Sequence, residues 1–220
     1  KSKTLYGIYF ARNAIISKDN CLLVEGYTDV ISMHQAGIEN VVASSGTSLT
    51  HDQVSMIRRY STNITILYDG DPAGIKASFR GIDMVVEQGM NVRIVLFPDG
   101  EDPDSFARKH HPAEVQKFVA DNAVNFILFK TNLLLGETRN DPIKKAALIK
   151  EIVNTIAIIP DRISRSLYVK ECSGLMAIPE QILMSELNKI LRAKVKKASP
   201  DQEKELEAIP EEQLPAEPQI

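Results

Sequence analysis

The chain has 220 residues, of which 44% are hydrophobic and 25% charged, a composition typical of a globular protein with room for one α/β domain and a smaller helical one. No run of about 18 apolar residues could span a bilayer and the N-terminus has no signal-peptide pattern, so we expect a cytoplasmic protein that contacts no membrane. The net charge is −3, but residues 199–220 carry seven acids against one lysine, which leaves residues 1–198 mildly basic and able to contact nucleic acid.

The first part of the chain predicts one helix followed by an α/β domain. Within residues 1–19, an apolar, helix-like run at 5–16 predicts an N-terminal helix. From residue 20 to 111, short β-branched runs alternate with stretches of helical periodicity, which predicts a Rossmann-like parallel sheet flanked by helices. The strands are expected at residues 22–24, 41–43, 64–67 and 92–96, and the helices at 29–36, 50–60 and 72–88.

Strand patterns stop near Pro112, and residues 112–197 predict a small helical bundle. The helices are expected at residues 113–135, 142–158, 161–176 and 179–197. Residues 198–220 combine prolines, acids and glutamines and are too polar to fold alone, so we expect a disordered linker there.

Acidic residues follow three of the four predicted strands. Ligands of a parallel α/β sheet bind where the strands end, so acids at these positions are expected to converge on one edge. They occur in a Glu-Gly-Tyr-Thr-Asp motif, an Asp-Gly-Asp motif and an Asp-Pro-Asp motif. These acids are Glu25, Asp29, Asp69, Asp71, Asp102 and Asp104.

Such a cluster predicts a magnesium or manganese site. Carboxylates packed this closely repel each other unless cations lie among them, and hard oxygen donors without histidine or cysteine favour Mg²⁺ or Mn²⁺. Cys21 and Cys172 have no partner at ligand spacing, so no zinc is expected in these residues. Gly26, Gly70 and Gly74 leave room for a phosphate or backbone to approach, which favours phosphoryl transfer on a nucleotide.

Each motif alone also has a purely structural interpretation. Asp-Gly-Asp is a common turn sequence, and an aspartate before a helix, as at Asp102, is usually an N-cap. The placement of all three motifs at strand ends of one predicted sheet is what favours a functional site.

The residues of these motifs and their order along the chain resemble the Toprim domain, which is shared by bacterial primases, topoisomerases and certain nucleases. Residues 24–30, 45–50, 68–77 and 98–104 look most like the bacterial replicative primase of the DnaG type. The resemblance covers about residues 5–195. It implies that residues 1–19 are the end of a preceding subdomain and that the helices after residue 112 close the RNA polymerase region.

This resemblance implies a DNA primase that makes short RNA primers by two-metal nucleotidyl transfer. Glu25 is then the general acid or base or a metal ligand, and Asp69, Asp71, Asp102 and Asp104 bind the ions, with Asp29 as an accessory acid. The implied candidate nucleotide-binding residues are Gly46, Thr47, Gly70, Gly74 and Lys76.

The implied partners are a single-stranded DNA template, ribonucleoside triphosphates and the replicative helicase at the bacterial replisome. The family's zinc-binding domain and basic subdomain are not within these 220 residues, and neither is the helicase-binding module expected after the acidic tail. The resemblance therefore leaves open whether this segment alone synthesises primers.

Other charged residues have equally good structural interpretations. Lys76 and Arg80 lie four apart and could reach a phosphate or remain solvated. His110 and His111 are expected to stabilise a helix end. The basic run at 189–197 lacks interleaved aromatic residues, so it is expected to keep a terminal helix soluble rather than bind nucleic acid.

Three alternative functions remain. A haloacid-dehalogenase-like phosphatase uses the first aspartate of an Asp-x-Asp as a nucleophile on its first strand, whereas Asp69 follows the third strand. Another Toprim enzyme, a nuclease or topoisomerase, is a second alternative, although no tyrosine here has a setting that suits transesterification. A metal-binding module without catalysis is the third, and loss of magnesium-dependent nucleotide binding in Asp69→Ala would argue against it.

Overall fold

The computed structural model describes residues 3–46, 49–69, 72–138 and 141–197, except for the side chains of residues 72, 73, 196 and 197. The strands are β1 (Cys21–Val24), β2 (Val41–Ala43), β3 (Asn63–Tyr68), β4 (Asn91–Leu96) and β5 (Val124–Asn125). The helices are α1 (Ile8–Lys18), α2 (Tyr27–Gln35), α3 (His51–Arg58), α4 (Pro72–Glu87), α5 (Pro103–Lys109), α6 (Pro112–Asp121), α7 (Phe126–Thr138), α8 (Pro142–Ala157), α9 (Arg162–Met176) and α10 (Glu180–Lys197).

The strand order of the sheet creates a crevice beside β1. The order is β2-β1-β3-β4-β5, with β1 to β4 parallel and β5 antiparallel to β4. Because β2 and β3 lie on opposite sides of β1, the connections leave β1 and β3 towards different edges. Parallel α/β sheets bind ligands at the carboxyl ends of the strands at such a point. The residues directly after β1 and β3 are Glu25 and Asp69.

Both faces of the sheet are buried, which explains the continuous apolar runs of its strands. Leu23 and Ile66 belong to a core that includes residues of α1, α3, α4 and the helices α7 to α10. Leu22 and Leu67 belong to a second core on the other face, formed with α2, α5 and α6. The alternation of adjacent strand residues between the two cores fixes which loops project at the carboxyl edge.

The structure differs from the sequence prediction between residues 112 and 135. The expected single helix over 113–135 is wrong, because α6 ends at Asp121 and α7 begins at Phe126, with β5 between them. β5 pairs with Arg93 and Ile94 of β4, so the sheet is mixed rather than purely parallel. The side-chain oxygen of Asn125 accepts hydrogen bonds from the backbone at the start of α7, which makes this residue a helix cap.

The predicted class, an α/β sheet flanked by helices and followed by further helices, is confirmed. The boundary at residue 112 stays a prediction, and α6 packs through Val115 and Val119 into the core it shares with α2 and α5. The predicted linker at 198–220 lies outside the described residues. Among the helices that the structure describes, none is both long and apolar enough to cross a membrane.

Candidate active site at the strand ends

Glu25 lies at the end of β1, beside the crevice. The four residues of β1 are all buried, and Glu25 is the first exposed residue after them. Its backbone oxygen accepts a hydrogen bond from the N–H of Ser45, which ties the loop after β1 to the loop after β2 at 3.1 Å. Desolvation by the surrounding protein, and then the negative charge of Asp69, raise the pKa of the Glu25 carboxyl group.

Asp29 is the most buried acid of the site. Its residue is only 8% exposed, and its Oδ2 accepts a hydrogen bond of 2.9 Å from the backbone N–H of Gly26. Burial raises the pKa of Asp29, hydrogen bonds from Gly26 and from the backbone of Asp104 oppose that rise, and the charges of Asp102 and Asp69 add to it. The pKa of Asp29 therefore depends on residues in the loops after β1, β3 and β4.

Glycine at position 26 leaves room for this contact. A Cβ atom there would lie 3.1 Å from Asp29 Oδ2 and 3.4 Å from Thr28 Oγ1. A side chain would therefore push the carboxylate away from the backbone by a small distance. The Glu-Gly-Tyr-Thr-Asp motif thus builds a turn in which the last acid caps the helix that the motif begins.

Asp69 directly follows the buried strand β3 and is exposed. Its negative charge contributes to the raised pKa values of both Glu25 and Asp29, which places the three acids within electrostatic reach of one another. The preceding residue, Tyr68, is buried, and burial raises the pKa of its hydroxyl to about 12. Asp71, Gly70 and Thr47, all predicted site residues, lie outside the described residues.

Asp102 and Asp104 begin α5. Asp102 is its N-cap, accepting a hydrogen bond from the backbone N–H of Ser105 at 2.6 Å. Oδ1 of Asp104 accepts from Arg108 Nε at 2.9 Å and from the hydroxyl of Ser32 in α2. The N-cap interpretation of Asp102 is therefore confirmed, and the hydrogen bond between Ser32 and Asp104 joins α5 to α2.

A cleft of about 710 Å³ opens at the carboxyl ends of β1 and β3. Glu25, Gly46, Gly74 and Arg80 line it, so two of the predicted nucleotide-binding glycines lie beside the predicted catalytic acid. Lys76 instead forms an ion pair with Glu137 of α7. Of the two cations that the sequence placed on this helix, Arg80 is the one at the cleft.

Sequence reasoning did not single out Ser45, which precedes Gly46 at the rim of the cleft. Both residues have positive φ angles, 58° for Ser45 and 75° for Gly46. A non-glycine residue in the left-handed region is uncommon and marks a locally constrained backbone. The hydrogen bond from the Ser45 N–H to the Glu25 backbone oxygen stabilises this turn. In the sequence, only the adjacent Ser and Gly indicate a turn here.

The donor chemistry of the cluster suits a hard divalent cation. Its members are carboxylates. The charge of Asp69 adds to the rise that burial causes in the pKa values of Glu25 and Asp29, and a cation would relieve that repulsion. Within the described residues, no three acids, histidines or cysteines are close enough together to hold an ion as they stand. Both cysteines are buried and free.

The predicted helix-end role of His110 is confirmed. It is the C-cap residue of α5, and its ring Nδ1 lies 3.0 Å from the backbone oxygen of Phe106. Its ring also stacks on that of Phe106 at a centroid distance of 4.1 Å. This histidine therefore stabilises a helix end.

Family models match two parts of the chain. Residues 22–107 match the Toprim-like family, and residues 130–181 match the DnaB-helicase binding domain of primase. The second match begins in α7 and reaches into α10, so a segment similar to that domain lies inside the helical bundle, where we expected none. The helicase-binding module expected after the acidic tail stays a prediction.

Relatives and solved structures agree with these models. The DNA primase of Clostridium acetobutylicum is 38% identical over 187 residues, covering 83% of this chain and 30% of the relative. That of Halalkalibacterium halodurans is 35% identical over 193 residues, covering 87% and 32%. A DNA primase domain from Pseudomonas aeruginosa superposes with a TM-score of 0.74 at 28% identity, covering 85% of this chain and 60% of that one.

A DnaG primase catalytic domain whose structure has single-stranded DNA bound superposes with a TM-score of 0.70 at 30% identity, covering 79% of this chain and 57% of that one. The sheet, the strand-end acids and the first family model define a Toprim domain. With the helices that follow it, that domain belongs to the DNA primases of the DnaG type. The chain spans about 30–32% of the length of these curated relatives.

Proposed function

We propose that this chain forms the metal-binding catalytic part of a DNA primase, which joins ribonucleoside triphosphates into a short RNA primer on a single-stranded DNA template. The observation that carries this proposal is the placement of acids from separate strand ends beside a cleft at the switch point of the sheet, where the charge of Asp69 reaches both Glu25 and Asp29.

Magnesium or manganese ions would be held mainly by the acids after β3 and β4. Asp69 is exposed at the end of β3 and would supply one ligand, and Asp71, two residues later in the sequence, would supply another. Asp102 and Asp104 each use Oδ1 in a structural hydrogen bond, so their Oδ2 atoms are the ones to reach an ion. When bound, the ions supply positive charge beside the primer 3′-hydroxyl and the leaving pyrophosphate.

Glu25 is placed to move a proton. In the transfer, the 3′-hydroxyl oxygen bonds to the α-phosphorus of the incoming nucleotide, the bond to the bridging oxygen breaks, and pyrophosphate leaves. Glu25 accepts the hydroxyl proton, and its raised pKa makes it a stronger base than an ordinary glutamate. Gly46 and Gly74 leave the cleft open to the nucleotide, while Arg80 offers a cation to its phosphates.

The experiment separates binding from chemistry. Mn²⁺ titration and primer synthesis on single-stranded DNA are compared among the parent, Asp69→Asn and Glu25→Gln, with Glu39→Gln as control because Glu39 is also exposed but lies at the opposite end of the sheet. We expect Asp69→Asn to lose Mn²⁺ binding and Glu25→Gln to lose synthesis by at least about 100-fold. Synthesis by Glu25→Gln at the parental rate would refute the role of Glu25.

We further propose that the helical bundle docks the replicative helicase, as the description of the second family model suggests. Within that matched segment, Ile163 and Leu167 lie one turn apart on α9 and are 73% and 59% exposed. Replacing Leu167 with Glu should weaken helicase binding, whereas Ile16→Glu, a change at a similarly exposed site on α1, should not. Equal weakening by both changes would contradict this assignment.

A further inference from the structure

Four aromatic side chains lie exposed near the carboxyl ends of β1 and β2, in the segment that leads into α1 and at the start of α2. They are Tyr6, Tyr9, Phe10 and Tyr27, and their exposed fractions are 45%, 67%, 77% and 59%. Burying this ring surface would contribute about 25 cal/mol of free energy for each Å² removed from water. Contiguous exposed apolar surface commonly marks a binding site. We call these four residues the aromatic platform.

The rings of the platform form two contacting pairs. The centroids of Tyr6 and Tyr27 are 6.0 Å apart with a tilt of 59°, and Tyr9 and Phe10 meet edge to face at 5.3 Å. The guanidinium of Arg12 lies 4.7 Å from the centroid of the Tyr9 ring. The platform therefore presents several ring faces and one cation along the start of α1.

The backbone beneath these rings is fixed against the sheet. Tyr6 exchanges two backbone hydrogen bonds with Ala43 of β2, at 2.9 and 3.1 Å. Gly7 then turns the chain into α1 with φ +84°, and a Cβ atom there would lie 3.1 Å from Val30 Cγ1 and 3.3 Å from the Val41 oxygen. Exposed rings on such a fixed backbone lose little conformational freedom when a ligand binds.

The platform adjoins the candidate active site. Tyr27 begins α2 and lies two residues after Glu25. Ser45, whose N–H bonds to the Glu25 backbone oxygen, lines a surface depression together with Tyr6 and Gly7. A ligand resting on Tyr6 and Tyr27 would therefore reach the edge of the acidic cluster.

We propose that the aromatic platform binds the unpaired bases of a single-stranded nucleic acid passing the active site. Ring faces contact the bases of a strand rather than its phosphates, so the platform can hold a strand beside the active site through its bases. Base stacking on an aromatic ring contributes about 1–3 kcal/mol per base and does not depend on charge. Two ring pairs suit successive bases of a strand rather than one free nucleotide, and Arg12 can contact a phosphate farther from the acids. This inference rests on the proposed function for the identity of its ligand.

The test measures binding of dye-labelled oligo-dT by fluorescence anisotropy. Tyr27→Ala and Tyr9→Ala should each weaken binding by about 5- to 100-fold, the loss of one stacked base. Tyr27→Phe keeps the ring and should bind like the parent. Ile143→Ala is the matched control, because Ile143 is 82% exposed on α8 and is not part of the aromatic platform.

A second ligand separates base contacts from backbone contacts. An abasic oligonucleotide of the same length should bind the parent more weakly than oligo-dT binds Tyr27→Ala, because it loses every stacked base rather than one. Oligo-dT affinity unchanged in both alanine variants, abasic binding equal to oligo-dT binding, or no oligo-dT binding by the parent would each overturn the proposal and favour a protein segment as the occupant of the platform.

Mn²⁺ titration keeps this proposal distinct from the catalytic one. The alanine variants of the platform should keep parental Mn²⁺ affinity. If the parent binds no Mn²⁺ but Tyr27→Ala still weakens oligo-dT binding, the proposed catalytic role fails and the aromatic platform stands.

Discussion

Replacing Lys130 with methionine tests the largest buried charge cluster in the described residues. Its side chain is only 3% exposed, and its ammonium donates to Thr155 Oγ1 at 2.9 Å. It also lies 3.3 Å from a carboxylate oxygen of Glu151 and 3.7 Å from one of Asp83. Because α4, α7 and α8 each supply a member, this cluster joins the sheet layer to the bundle.

The expected cost follows from what methionine keeps and what it loses. Methionine retains packing against Phe79, whose ring centroid is 4.9 Å from the Lys130 ammonium. It loses a charged hydrogen bond, which contributes about 1.5–3 kcal/mol, and leaves the partner acids uncompensated. The acids are partly hydrated, with 32% and 48% of their side chains exposed, which moderates the full cost of about 3–5 kcal/mol for breaking a buried pair. We expect Lys130→Met to lower the free energy of unfolding by about 2 kcal/mol.

Thermal and urea unfolding measure this loss. A change of about 2 kcal/mol corresponds to a fall in Tm of roughly 4–8 °C for a chain of this length. Adding Asp83→Asn should recover part of it, because burial raises the pKa of Asp83 even beside the Lys130 ammonium and its Oδ1 has no hydrogen-bond partner among the described residues.

Lys150→Met is the control, since Lys150 is exposed on the same helix as Glu151 and its replacement should change stability by less than about 0.5 kcal/mol. A Lys130→Met protein as stable as the parent, or more stable, would mean that the desolvation penalty of the buried ammonium equals or exceeds the stabilisation from its contacts. That result would refute the reasoning.

Three further predictions concern the strand-end loops. Because the folded-state pKa of Asp29 is raised, the folded protein binds more protons than the unfolded chain, and stability falls as the pH rises through this pKa. The Tm advantage of Asp29→Asn over the parent should therefore grow with pH and shrink when Mn²⁺ is added. An advantage independent of pH would contradict this. Gly26→Ala should push the Asp29 carboxylate away, cost about 1 kcal/mol in thermal unfolding and weaken Mn²⁺ binding, whereas unchanged binding would show that the turn tolerates a side chain. Thr50→Ala should remove the N-cap of α3, whose side chain bonds to the Gln53 N–H, and lower Tm by about 2–4 °C without affecting Mn²⁺ binding.

The main strands were predictable because most of their residues are apolar and buried. β1 and β2 are buried throughout and β3 nearly so, and turn residues bound these runs. β4 exposes Asn91 and Arg93, but its β-branched residues still indicate a strand. β5 has only two residues, Val124 and Asn125, and owes its conformation to pairing with β4. No local pattern distinguishes so short a strand from the helical residues around it, so the predicted helix ran through it.

The site was predictable in outline because strand ends are set by topology. Glu25 and Asp69 follow directly from the ends of β1 and β3, and parallel pairing brings those ends together. Side-chain partners were not predictable, since they depend on packing between helices distant in sequence. Lys76 pairs with Glu137 of α7, and Asp104 with Ser32 of α2, across separations that no local pattern records.

The contacts of Asp29 indicate that this acid positions the site rather than chiefly binding an ion. Its carboxylate accepts backbone hydrogen bonds from Gly26 in the first acid loop and from Asp104 in the third, and it is nearly buried. A carboxylate whose oxygens are engaged in this way has little capacity left for a metal, whereas Asp69 is exposed beside it. Asp29 thereby fixes the distance between the loops that carry Glu25 and Asp104. Because the role of Asp29 is geometric, we expect Asp29→Asn, whose amide oxygen can still accept from the Gly26 N–H, to keep much of its Mn²⁺ affinity, whereas Asp69→Asn should lose it.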